Sequence, residues 1–217
     1  MAKSADFRKR IDGDVAVLEK SFAESEASLV DLDIRGDKVL INRQVVRCNS
    51  QQIRVQDVTG VRFGIFVQYT NGVKSSSYLV GIAGHGTDIT IECKRFLRSE
   101  EQAQSDYKSI LNGLFHHVLP KLAARIAKRI AAGSPYEMGG TKIAKEGIYL
   151  RTGMLMWEKE HLVSWKDVRF GIYQGSLCIR SGAEKALSAT MDVRNVFNAV
   201  IFEPIVKTLM NLLSDEK

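Results

Sequence analysis

The chain has 217 residues, 45% hydrophobic and 26% charged, ordinary proportions for a globular protein and enough for one large domain or two of about 100 residues. No apolar run approaches the ~20 residues that span a bilayer, and the N-terminal MAKSADFRKRIDGDVAVLEK lacks the apolar core of a signal peptide, so the chain reads as cytoplasmic. A formal net charge of +6 favours an acidic partner only modestly.

Residues 1–26 carry Phe7, Ile11, Val15, Leu18 and Phe22 at helical spacing, which predicts an amphipathic N-terminal helix docked on a domain or a partner subunit. LVDLDI, KVLINRQVVRC and QIRVQDV follow as β-branched extended stretches, broken by turn residues such as Arg35-Gly36-Asp37. From Val61 to Phe96 the pattern is a three-strand antiparallel meander, with Asn71-Gly72 as hairpin signal and Gly84-His85-Gly86 as second turn. A helix is expected from about Glu100 to Ala132, with a first apolar face of Tyr107, Ile110, Leu111, Leu114, Phe115 and Val118 and a kink or break at Pro120. Gly133-Ser134-Pro135 ends it and is the best domain boundary.

The second half repeats the order. TKIAK, GIYLRT and LVSWKDV read as strands, then VRFGIY, SLCIRS and ALSATMDV as a meander, then a helix from about Asn195 to Leu213 containing Pro204. The pentapeptide VRFGI occurs at Val61–Ile65 and again at Val168–Ile172, and ILNGLF at 110–115 resembles VFNAVI at 196–201. Only VKSSS, 73–77, looks like a much longer loop in the first copy. Two related units, 27–133 and 134–217, are the economical explanation. Strand alternation puts Val, Phe and Ile of each VRFGI on the core face and directs Arg62 and Arg169 outward.

Several strands, a meander and a terminal amphipathic helix resemble the order of pleckstrin-homology-like domains. The resemblance is sharpest in GIYL…LVSWKDVRFGIYQGSLCI, where Val163-Ser164-Trp165-Lys166-Asp167-Val168 is similar to the apolar-Trp-x-Asp-apolar stretch of bacterial members. It covers roughly 27–132 and 136–214. The first copy departs from it, with Val55 in place of Trp165 and two extra residues. The resemblance implies an α+β fold of two units. Each is a bent antiparallel sheet or partial barrel closed by a C-terminal helix, serving as a binding module for lipids, peptides or proteins.

The remaining residues offer little chemistry. Cys48, Cys93 and Cys178 stand far apart with no CxxC or Cys/His spacing, so they read as buried small hydrophobes rather than a zinc site or disulfide framework. His116 and His117 are adjacent and project about 100° apart on a helix, which is poor geometry for one metal. His85 and His161 have no nucleophile nearby. Gly81–Gly86 and Gly139-Gly140-Thr141-Lys142 both fail the phosphate-loop patterns, and no HExxH, GxSxG or paired-carboxylate signature occurs. No catalytic, metal or cofactor residue is therefore assigned, and the expectation is a non-enzymatic binding or scaffold protein. Lys121, Arg125, Lys128 and Arg129 fall on one side of a helix with Leu122, Ile126 and Ile130 opposite. This basic side is one candidate ligand-binding feature, and Arg62 and Arg169, as paired arginines in two ligand sites, are another. The expected partner is a protein, with an anionic lipid surface second and a nucleic-acid-binding two-repeat saddle as the alternative. Homo-oligomerisation stays open.

Overall fold

Four β-branched segments open the described chain: β1 (Val30–Ile34), β2 (Asp37–Ile41), β3 (Val45–Cys48) and β4 (Gln51–Arg54), an antiparallel meander in that order. The computed structural model describes residues 29–34, 36–70, 73–94, 99–152, 159–184 and 186–214, so the N-terminal helix expected over 1–26 lies outside the described residues. KVLINRQVVRC is a hairpin rather than one strand. The Asn42 side chain accepts hydrogen bonds from the Gln44 and Val45 amides (2.8 and 2.9 Å) and so makes the turn. Val39, Ile41, Val46, Cys48 and Ile53 are buried at the two-residue spacing of pleated strands. A 3-10 turn, Val55–Asp57, leads into β5 (Val58–Thr70), β6 (Val73–Gly84) and β7 (Asp88–Lys94), a second antiparallel meander. VKSSS is not a loop. It lies within β6, where the long β5 supplies cross-strand partners, Tyr69 to Lys74, Gln68 to Ser75 and Val67 to Ser76.

The helical stretch divides where Pro120 requires. Helix α1 (Glu100–His117) is capped by Ser99, whose hydroxyl accepts from the Gln102 amide at 3.1 Å, and α2 (Leu119–Ala131) carries Pro120 in its first turn. Gly133, at φ +87°, closes α2 by donating to the Ile130 carbonyl. The second half then gives β8 (Tyr136–Met138), β9 (Thr141–Ile143), β10 (Gly147–Thr152) and β11 (Lys159–Ser164) as one meander. A 3-10 turn, Trp165–Asp167, follows, then β12 (Val168–Tyr173), β13 (Ser176–Ser181) and β14 (Ser188–Asp192). The last helix begins later than expected. Residues 195–198 are turn, a 3-10 segment covers Ala199–Ile201, and α3 runs Phe202–Ser214. Pro204 is thus in the first helical turn, where its missing amide is harmless.

The protein is α+β; among the described residues there are four antiparallel sheets, none of which closes on itself. Each half holds two separate sheets where a single bent one was expected. The order four strands, 3-10 turn, three strands, helix occurs in both halves. Helix α1 lies against β1, β2, β6 and β7, whereas α2 packs chiefly on α3. Buried apolar residues of both halves consequently form one cluster. Leu122, Ile126 and Ile130 of α2 and Ile205 and Leu209 of α3 belong to it. Each such side chain contributes about 1.5–3 kcal/mol.

The two pentapeptides do not occupy matching positions. Val55, Asp57 and Val58 match Trp165, Asp167 and Val168 around the 3-10 turns, a spacing of 110, whereas the pentapeptides stand 107 apart. Three residues, Val58–Gly60, intervene in the first half, with a register shift between Val58 and Gly60. The expected burial also fails in part. Val61 and Val168 are buried, but Ile65, Phe170 and Ile172 are 46%, 36% and 48% exposed. Both strands are sheet edges, and an edge strand is covered on fewer sides than a central one.

Candidate functional site

The two halves meet along the outer edge of β5, and Asn198 makes the junction. It is buried, at φ +68°, a left-handed conformation that asparagine tolerates. Its backbone amide donates to the Val61 carbonyl (2.8 Å), and its Oδ1 accepts from the Val61 amide (2.9 Å). Its Nδ2 donates to the Thr59 carbonyl (2.9 Å) and to the Tyr136 hydroxyl (2.5 Å). One residue thus takes the place of a neighbouring strand on an otherwise open edge. Phe197 and Arg194 lie beside it on the same face of β5. A Cβ on Gly60 would meet the Phe197 ring at 3.0 Å, and one on Gly64 would overlap the Arg194 side chain. The glycine of the first VRFGI is therefore a close-approach position.

Arg62 stands between these two glycines. It does not point clear of the protein as expected: its guanidinium lies 4.7 Å from the Phe197 ring centroid, and its Nε is buried with no hydrogen-bond partner among the described residues. Arg194 covers Phe66 in the same way at 4.8 Å and is held by Asp192 through Nη2 to Oδ2 (2.5 Å) and Nε to Oδ1 (2.8 Å). That pairing drives the Asp192 carboxyl below its usual range and the Arg194 guanidinium above its own.

The basic side of α2 is exposed and its apolar side is packed, but its cations are not equivalent. Arg125 donates to the carbonyls of Gln56 (2.6 Å) and Val58, which ties α2 to the 3-10 turn before β5. Lys121 donates to the Arg43 carbonyl at 3.0 Å. Lys128 and Arg129 are exposed on the last turn of the helix, where cations suit the helix dipole. Arg43, Gln44, Gln52, Arg54, Gln56 and Lys121 line an open groove of ≈ 640 Å³. Two of its three cations are already engaged, Lys121 as above and Arg54 with Asp57 at 2.5 Å. Arg169, on β12, donates to the carbonyls of Lys166 and Val168, both at 2.9 Å. Arg62, Lys121, Arg125 and Arg169 thus make contacts within the protein, while Lys128 and Arg129 are exposed.

The exposed large hydrophobics are more concentrated than the cations. Ile65, Val67 and Tyr69, 46%, 46% and 72% exposed, share one face of β5, and Phe170, Ile172 and Tyr173 lie on β12. Among the described residues both strands pair with another strand on one side only. Comparison with protein-family models, curated proteins and solved structures finds no match for the chain. Among the described residues no group of three or more His, Cys, Asp or Glu could hold a metal ion, and no helix is long and apolar enough to cross a membrane. The sequence reading missed Asn198, Arg194 and Phe197. A usable signal was Pro204, which is tolerated best in a first turn and so places the helix start after VFNAVI rather than within it.

Proposed function

We propose that this is a non-enzymatic binding or scaffold protein built from two pleckstrin-homology-like units, 27–133 and 134–217, and that it binds a partner protein along β5. The recurring order of four strands, 3-10 turn, three strands and helix supports the family reading. The observation that carries the function is the row Ile65, Val67 and Tyr69, exposed on a strand whose outer edge no other strand pairs among the described residues. An extended segment of a partner adds to such an edge through main-chain hydrogen bonds and sets its side chains against the apolar row. Photo-crosslinking from position 65 or 67 in cells tests this, with position 151 on β10 as control. Discrete adducts from the β5 positions, lost in Tyr69→Lys, are expected. Equal labelling from all three sites would sink the reading.

Peripheral binding to anionic lipid is the second reading, now resting on Lys128 and Arg129, since Lys121 and Arg125 are engaged with backbone carbonyls. A nucleic-acid saddle has less support, because the described strands fall into four separate sheets rather than one continuous one.

A further inference from the structure

Among the described residues no strand pairs the outer edge of β12, and that edge is complementary to itself. Its hairpin with β13 closes on a two-residue turn, Gln174-Gly175, both at positive φ, with Tyr173 opposite Ser176. In such a hairpin the closing pair is hydrogen-bonded and the alternation then follows. Tyr173, Gly171 and Arg169 turn their amides and carbonyls towards β13, and those of Phe170 and Ile172 face outward. The same rule applied to β5 makes Val61 face outward, which is where Asn198 binds it. On β12 the Val168 carbonyl is occupied by Arg169. That leaves Phe170 and Ile172 as the open edge, with side chains 36% and 48% exposed.

We propose that this edge pairs with its own counterpart in a second copy of the chain, antiparallel about a two-fold axis through Gly171. Phe170 then faces Ile172 of the second copy as a hydrogen-bonded pair, and each aromatic ring meets a β-branched side chain, a favourable cross-strand combination. On the opposite face Arg169 meets Tyr173 of the second copy, cation against aromatic ring, and no two like charges stand directly opposite. Gly171 faces Gly171 at the closest spacing in an antiparallel ladder. A register shifted by two residues either way loses this match: it sets Phe170 against Phe170 or Ile172 against Ile172, and breaks both Arg169–Tyr173 pairs. The product is a six-stranded sheet with the β5 rows left free. A strand this short makes a small interface, so the dimer is reversible and concentration-dependent.

The self-pairing rests on the same edge-strand reading as the proposed function, but uses a different strand. Sedimentation velocity of the full chain over a concentration series is the test. The wild type is expected to shift from monomer to dimer. Ile172→Pro removes an amide that serves only the second copy, and Tyr173→Lys places two cations opposite each other. Each is expected to weaken dimerisation at least roughly tenfold. Gly171→Cys is expected to crosslink two chains through a disulfide under mild oxidation, since residues paired this closely satisfy disulfide geometry. A wild type that stays monomeric at its highest soluble concentration overturns the proposal. So does a dimer that Tyr173→Lys leaves intact and Gly171→Cys does not crosslink. Partner adducts from position 65 are read separately, and their loss from an intact dimer counts against the β5 function alone.

Discussion

The two halves run the same sequence of elements but treat one strand differently. In the first half β5 is thirteen residues long and its edge is covered at Val61 by Asn198 from the second half. In the second half β12 is six residues long, and among the described residues no strand of the first half pairs with it. The helical segments differ in the same sense. In ILNGLF, Asn112 is a half-buried residue inside α1, whereas in VFNAVI the matching Asn198 leaves the helix and plugs a sheet edge. A repeated framework therefore does not imply repeated roles. The second half acts as the clamp on the first, and the clamp consists of a few side chains between β14 and α3.

Removing the clamp should produce the largest effect. Asn198→Ala deletes the side-chain partners of the buried Val61 amide and the Thr59 carbonyl and leaves alanine at positive φ. Unsatisfied buried groups cost about 1–3 kcal/mol each, so a loss of roughly 2–4 kcal/mol is expected. Both tryptophans, Trp157 and Trp165, belong to the second half, so their fluorescence reports that half while far-UV circular dichroism reports the whole. In guanidinium the two signals should separate in the variant. Coincident transitions at the wild-type midpoint would show that Asn198 does not couple the halves. Asn198→Gly relieves the backbone strain yet loses the same hydrogen bonds, and so isolates them.

A smaller effect is expected from crowding the same surface. Gly64→Ala places a methyl group where the Arg194 side chain lies, and overpacking of this kind costs about 1–3 kcal/mol. The close approach is the cause only if it depends on Arg194. In an Arg194→Ala background Gly64→Ala should therefore cost clearly less, a non-additivity that a double-mutant cycle measures directly. Additive effects would mean that the glycine serves strand geometry alone.

Much of the framework was legible in the sequence because it depends on local chemistry. Gln174-Gly175 set the β12–β13 hairpin, Pro120 divided the helices and Gly133 ended α2. The basic side and apolar side of α2 were likewise readable from spacing, and Leu122, Ile126 and Ile130 are buried as that spacing predicts. The junction was not readable in the same way. Asn198 stands 137 residues from Val61, and in isolation its surroundings suit a helix. Arg62 reads as an outward strand residue until Phe197 is placed over it. The repeated VRFGI pointed to the right organisation for the wrong reason, since its letters match three residues out of step with the elements.

The acid limb of stability offers the finest probe of the same junction. Asp192 accepts from the Arg194 guanidinium and from the Arg194 backbone amide (2.9 Å), and the side-chain bond is the main cause of its lowered pKa. A carboxyl depressed in the folded state stabilises fully above its unfolded value of about 3.9, and that contribution is lost as pH falls towards the folded value. Asp192→Asn keeps an oxygen for the backbone amide and removes only the charge. Both side chains are about a third exposed, at 33% for Arg194 and 27% for Asp192, so solvent screens the pair and the effect is the smallest of the three. Urea midpoints measured from about pH 7 down to about pH 3 should show wild type and variant converging as the carboxyl protonates. A difference that stays constant over that range would mean that the arginine, though it covers Phe66, does not hold the carboxylate that positions it.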